Sequence, residues 1–490
     1  MIARASAAAA TAAVCLVTLT ACGGSSSASW PLPNLNLAST RALPASGIDP
    51  ANVSSLHVAW RFRLPYPPGE SGAFTATPVV AGGVVYVQDM LSNVFALDLA
   101  TGKVLWRRLL LDQNPGPNGL AVGGGRVYGV TDYAVFALDA STGKFVWRRR
   151  LATPTARFVD IAPQLAHGLV YVSTIGLPPN GRGILYALDA STGKIRWQFD
   201  TIKGTWHVPS QAGGGGSWYT PSVVGDDILW GTTNPYPYGG TPSLPNGEAY
   251  EGDALYTDTL LVLDARTGKL LWFDQVTPHD VRDYDFQLPP VIGESDGRGA
   301  IFGAGKAGRV IAWDRATRKR LWQTSVGLHS NDTGPLPSRP VLVCPGLLGG
   351  VETPMASEDG RLFVPVVNLC MHGSAEGYED LDKVNVSARG TGELVALDES
   401  DGRTEWTLHL PQAIFGCATA ADGVVFTATF DGEVYGVDAA TGKVLWRAAS
   451  RAGVNACPAL AAKTLLVGAG VPLAHGDVLE LTAYTVGKRS

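Results

Sequence analysis

One unit recurs along this chain: a strand ending in Asp, a tight turn carrying Gly, and a returning strand with Lys and then Trp. It runs from Asp98 to Trp106, Asp139 to Trp147, Asp189 to Trp197, Asp264 to Trp272 and Asp438 to Trp446, with degenerate copies from Asp314 to Trp322 and Asp398 to Trp406. Each copy reads as a hairpin. The Asp accepts backbone hydrogens across the turn, and Gly supplies a positive φ that other residues resist. The Trp is large enough to bury against the neighbouring unit, so the units must stack to be stable. An eighth Trp, Trp60, has no Asp-turn before it, and its missing partner strands lie at the other terminus, over residues 464–467 and 478–486. The fold expected is all-β: an eight-bladed β-propeller of four-stranded antiparallel blades, the last blade closed by an N-terminal strand so that no sheet edge stays open. Successive Trp residues are 46, 41, 50, 75, 50, 84 and 40 residues apart. A blade needs about 40 to 45, so the surplus before Trp272 and Trp406 belongs in loops, often on a binding face.

Composition agrees. A chain of 490 residues would ordinarily suggest about three domains, but the repeat spans nearly all of it. Only 17% of residues are charged and 46% are hydrophobic, which excludes a disordered chain. The 59 Gly and 32 Pro would cut helices short, against a helical bundle. The net charge of −5, with basic runs only at Arg148-Arg149-Arg150 and Arg318-Lys319-Arg320, gives no footprint for nucleic acid.

The first residues read as an address. Arg4 precedes an apolar stretch to Ala21 that is too short and too weakly flanked to span a membrane, and it reads as a signal peptide over 1–21. Leu19-Thr20-Ala21-Cys22 resembles the bacterial lipobox, which implies lipidation of Cys22, and the Gly/Ser stretch that follows suits a flexible tether over 22–35. Residues 36–490 are then one propeller domain, exported and lipid-anchored on the extracytoplasmic face of a bacterial membrane. In an oxidising compartment Cys344, Cys370, Cys417 and Cys457 suggest two disulfides, with three pairings open. No Cys-x-x-Cys-His sequence occurs, so no attached c-type haem is expected.

The Ala-x-Asp-Ala-x-Thr-Gly-Lys-x-x-Trp unit resembles the tryptophan-docking motif of the pyrroloquinoline quinone (PQQ) propeller superfamily. The opening, from Asn36 to Arg41 and from Asn52 to Trp60, is similar to the start of its quinoprotein alcohol dehydrogenases. The superfamily also contains non-enzymatic lipoproteins of outer-membrane assembly, so fold alone does not settle function. The Gly-rich stretch at 213–216 and Trp218 resembles the segment whose Trp lies under the quinone. A planar cofactor wants an aromatic floor, and glycines permit close backbone approach. Gly231-Thr232-Thr233-Asn234-Pro235 is similar to the motif whose Asn oxygen binds the metal. Pro278-His279-Asp280-Val281-Arg282-Asp283-Tyr284 resembles the motif in which the residue matching Asp283 is the catalytic base, although Arg282 stands where a Trp is usual. Asp285 lies where lanthanide-dependent relatives carry an extra carboxylate ligand. The segment around Lys306 resembles one whose Lys holds the quinone and the Asp, where a cation stabilises developing negative charge. Resemblance to the disulfide-bearing sixth blade implies Cys344 with Cys370, leaving Cys417 with Cys457.

Three departures bear on the chemistry. No Asp or Glu lies between Asp160 and Asp189, where a metal-ligand Glu is usual; Pro178 is its nearest equivalent, with Asn180 or Asp285 as substitutes. The adjacent Cys-Cys that caps the quinone is absent. The stretch from Gly349 to Thr353 puts Glu352 in place of an Asn near the cofactor. The resemblance implies PQQ with Ca²⁺ or a lanthanide ion held by Asn234, Asp283 and Asp285. An alcohol, polyol or aldose would be oxidised, and electrons would pass to a separate acceptor protein. The alternative is a binding or assembly scaffold that has lost the chemistry.

Overall fold

The computed structural model describes residues 29–65, 74–114, 116–151, 158–176, 181–203, 208, 212–250 and 252–487. Cys22, Pro178 and Asn180 lie outside the described residues, as does the signal segment. Among the described residues, eight four-stranded antiparallel sheets form the blades. Blade one comprises Val79–Ala81, Val84–Gln88, Val94–Asp98 and Val104–Arg108. Blades two to seven follow the same order, each inner strand short and each outer strand carrying the Trp. Blade eight takes Ala459–Ala461, Thr464–Ala469 and Glu480–Thr485 from the C-terminal end and His57–Arg63 from the N-terminal end. The expected closure is thereby borne out, with Phe62 opposite Leu481. The second and third strands are buried on both faces, so they read as continuous apolar runs instead of alternating.

The glycine of each turn does more than accept a positive φ. A Cβ on Gly102, Gly143, Gly193, Gly268, Gly402 or Gly442 would come within 2.5–2.7 Å of the indole of the preceding blade. The repeat indoles also donate Nε1–H across the junction, as Trp60 does to Leu99 O (2.9 Å), Trp106 to Ala140 O (2.9 Å) and Trp446 to Leu56 O (3.2 Å). Within each blade a bulge skips one residue just before the Trp, as between Ala96 and Leu97, which bends the outer strand. The degenerate turn keeps the conformation without glycine: Arg318 has φ 63° and pairs with Asp227 at 2.5 Å. Each turn Asp is held by its own loop. Asp189 accepts from Ser191 and Thr192, which lowers its carboxyl to about 2.

One boundary needs correction. The tether expected over 22–35 ends earlier, because Trp30, Asn34 and Leu35 are buried and Trp30 pairs with Val80 in both directions (2.9 and 2.7 Å). The reason is Arg41, which is fully buried and donates to the carbonyls of Pro33, Ala418 and Pro458, to Asn34 Oδ1 and to Thr419 Oγ1. It ties the N-terminal segment to blade seven and stacks near Trp30 (5.3 Å). Both disulfides are present, Cys344 with Cys370 and Cys417 with Cys457.

The surplus residues meet over one face. Asn246, in the blade-four insertion, donates its N–H to Ala375 O (2.7 Å) in the blade-six insertion, and its side chain exchanges two bonds with Leu336 (2.8 and 3.1 Å).

Candidate active site

The segment from Asp280 to Asp285 organises the site. Asp280 is buried and its two oxygens accept the N–H groups of Arg282 (2.8 Å) and Tyr284 (2.7 Å). That turn holds Asp283 at φ 63°, a left-handed conformation of the kind retained where a side chain must be aimed. Side chains then alternate. Asp283 and Asp285 border a hollow of about 210 Å³ on the propeller axis. Asp280, Arg282 and Tyr284 border a separate cleft of about 560 Å³ on the other side. Arg282 therefore does not enter the axial hollow; it is buried and donates to the carbonyls of Asn331, Thr333 and Gly334. His279 also stays outside, its ring nitrogens facing Gly252 O and Asn246 O.

Lys306 reaches the axial hollow from blade five. Its Nζ lies 2.9 Å from Asp283 Oδ2 and 2.7 Å from Asp285 Oδ2, and the three side chains are 9%, 15% and 1% exposed. Asp285 Oδ1 also accepts the N–H of Asn234 (2.7 Å), which locks the Asn-Pro turn to the acidic segment. Burial, together with the Asp285 charge, pushes the Asp283 carboxyl well above the usual range against the pull of Lys306. Burial works to lower Lys306, but Asp283, Asp285 and Glu352 outweigh it and hold the ammonium charged.

Trp218, Asn234, Asp283, Asp285 and Lys306, separated by up to 88 residues, thus line one hollow. Trp218 and Lys306 also border a second hollow of about 230 Å³, with Gln287 and Glu352. The glycines before Trp218 have a packing task as well. A Cβ on Gly214 would strike Asn234 O at 2.3 Å, and one on Gly216 would strike Thr174 O at 2.2 Å. They pack backbone on backbone, and Gly214 also lines the first hollow.

Four site residues were not picked out from the sequence. Tyr236 and Tyr238 line the first hollow and stand edge to face, with centroids 6.3 Å apart. Burial, then the Asp283 charge, raises the Tyr238 phenol. Their signal was present in the Asn-Pro-Tyr-Pro-Tyr run. Glu352 was noted only as a departure. Asp258, wholly buried with neither oxygen hydrogen-bonded, carried no local signal; burial and then the charge of Asp280 push it well up.

The family model described as outer membrane protein assembly factor BamB matches residues 91–344 and 306–486. The chain belongs to the PQQ-type β-propeller family. A second model, described as the glucose/ethanol/alcohol dehydrogenase β-propeller domain, matches residues 30–121. The chain is 28% identical to the quinohemoprotein alcohol dehydrogenase of Comamonas testosteroni, over 88% of this chain and 70% of that enzyme. It is 26% identical to the lanthanide-dependent methanol dehydrogenase of Methylacidiphilum fumariolicum, over 88% of this chain and 82% of that one. Among solved structures, a europium-containing methanol dehydrogenase superposes with TM-score 0.79 at 21% identity, covering 94% of this chain and 98% of that chain. BamB from Moraxella catarrhalis superposes with TM-score 0.57 at 15% identity, covering 88% and 99%; both structural likenesses concern the fold.

A quinone suits these residues. Trp218 offers an aromatic side chain to both hollows, and residues lining the second carry buried polar atoms without partners. A metal suits them poorly. The expected ligands Asn234, Asp283 and Asp285 do converge, but the cation between the carboxylates is Lys306, and the blade-three wall is the apolar Ile175. Three charged ligands grouped for an ion are not found among the described residues.

Proposed function

We propose that this chain is a quinoprotein dehydrogenase that binds PQQ on Trp218 and oxidises the hydroxyl-bearing carbon of a small alcohol, polyol or aldose. The observation that carries the reading is the Asp283–Lys306–Asp285 cluster in the axial hollow. Bound PQQ would supply the hydride acceptor. Asp283 takes the hydroxyl proton of the substrate, and its upward shift makes it a stronger base than an ordinary Asp. Lys306 offsets the charge that Asp283 carries once ionised and offers donors to negative charge developing in the hollow. Tyr236 and Tyr238 line the hollow with Trp218, Asp283 and Lys306 and bound the space left for a small substrate. No step is routed through a metal, because an ion would have to take both carboxylates from Lys306. A separate acceptor protein receives the electrons. Export and a lipid anchor at Cys22 complete the proposal, checked by mass spectrometry of the mature N-terminus.

The family match to an assembly factor favours a second reading, a binding scaffold without catalysis. Calorimetric titration of PQQ into the oxidised propeller, with Ca²⁺, with La³⁺ and with neither, decides between them. We expect binding that Asp283→Ala and Trp218→Ala weaken at least tenfold. An absence of binding under every condition would leave the scaffold.

A further inference from the structure

Four residues that line the second axial hollow each carry a buried polar atom with no hydrogen-bond partner: Thr75 Oγ1, Gln287 Oε1, Glu352 Oε1 and Thr353 Oγ1. Buried polar groups are ordinarily paired, so orphans gathered around one space point to a polar ligand there. Glu352 is the informative member. It is 7% exposed, and its Oε2 accepts a long bond from Gln287 Nε2 (3.3 Å) while Oε1 faces no donor. The titratable and charged groups that act on it are Lys306 from blade five, Asp285 from the acidic segment and Tyr219 beside the Trp218 floor. Lys306 has already given its charge to Asp283 and Asp285. A third buried carboxylate with one long hydrogen bond is poorly solvated as an anion. Burial accordingly pushes Glu352 up to about 7, with the Lys306 charge opposing.

As an acid, Glu352 has one hydrogen to give. The two threonine hydroxyls can also donate, which leaves Gln287 Oε1 as the acceptor among the four. The set therefore fits a ligand edge rich in oxygen acceptors. We propose that Glu352 acts as a carboxylic acid in ligand binding, its Oε1 hydroxyl donating to a carboxylate or carbonyl oxygen of the planar ligand on Trp218, so that in alkaline solution binding draws one proton from solvent. This deepens the quinone reading and rests on it. A carboxylate here would repel a polycarboxylate quinone, whereas the acid binds it.

The test has two parts. In ligand-free protein, the infrared difference between wild type and Glu352→Gln should contain a carboxylic-acid carbonyl band at pH 6 that is lost by about pH 9. PQQ is then titrated at pH 8 in phosphate and in Tris, whose ionisation heats differ. Wild type should take up about one more proton per quinone than Glu352→Gln, and above neutrality its affinity should fall by up to ~tenfold per pH unit while that of the variant stays flat. The amide of Glu352→Gln keeps a donor and the shape of the hollow. Quinone heat without a Glu352-dependent proton overturns this inference and leaves the dehydrogenase reading standing. A missing difference band overturns it as well. A band with no quinone heat in either protein refutes the quinone reading and takes this ligand assignment with it.

Discussion

Replacing Lys306 with Met removes the ammonium that bridges Asp283 and Asp285 at 2.9 and 2.7 Å and leaves two buried carboxylates side by side. Removing one partner of a buried ion pair costs about 3–5 kcal/mol, because the remaining charge is neither hydrated nor compensated. The cost depends on pH in a definite sense. Without the ammonium, the Asp283 carboxyl titrates even higher than it already does, while in the unfolded chain it titrates near ~3.9. The folded variant then binds more protons than the unfolded one above that value, so its stability falls as pH rises. We expect a loss of about 1–2 kcal/mol at pH 4.5 that grows to about 3–5 kcal/mol by pH 8. Guanidinium denaturation followed by tryptophan fluorescence at both pH values measures it. A companion variant that also carries Asp283→Asn and Asp285→Asn should recover most of the loss at pH 8. A pH-independent loss below about 1 kcal/mol, or a companion no more stable than the single variant, would refute the buried-pair account.

Four further outcomes are expected. Gly193→Ala places a Cβ 2.5 Å from the Trp147 ring at φ 68° and should cost about 2–4 kcal/mol in thermal unfolding. Gly225→Ala, at φ 60° with open space around it, should cost only about 1 kcal/mol. Glu352→Gln should stabilise the protein by about 3 kcal/mol at pH 8 and little at pH 4.5, because a carboxyl raised to about 7 destabilises the fold progressively as pH rises from its unfolded value to its folded one. Replacing Cys344 and Cys370 by Ser opens a loop with a separation of 26 residues and should cost about 3–4 kcal/mol, measured as a lowered denaturant midpoint. Trp30→Ala should cost about 3–5 kcal/mol by the same assay, a loss that a free tether would not produce.

Much of the architecture was legible because the signals are local or act between nearest neighbours. An Asp-turn is made within a few residues, as at Asp98 and Thr101. The Trp that follows needs only the next blade to dock on, so the repeat itself carries blade count and order. Closure at the ends followed from the same bookkeeping, since Trp60 lacked its strands and residues 464–486 lacked a Trp. The tether boundary was misread because nothing near Trp30 reveals that Arg41 draws it into the fold through partners nearly 380 residues away.

The site divides in the same way. Resemblance at short motifs singled out Trp218, Asn234, Asp283, Asp285 and Lys306, and those side chains do share a hollow. Their sequence could not say what the carboxylates hold. Lys306 lies more than 20 residues beyond Asp283, and only the adjacency of two blade loops brings the ammonium onto both acids. Arg282 is equally instructive: one residue from Asp283, it faces the opposite cleft because the turn held by Asp280, with Asp283 in a left-handed conformation, sends the two side chains to different sides. Sequence determined the propeller and the residues that point toward its axis, because periodicity and turn chemistry are written in neighbouring positions. The charge state of the axis, the apolar wall at Ile175 and the orphaned polar atoms around Glu352 were decided only in three dimensions, where burial sets how strongly distant charges act on one another.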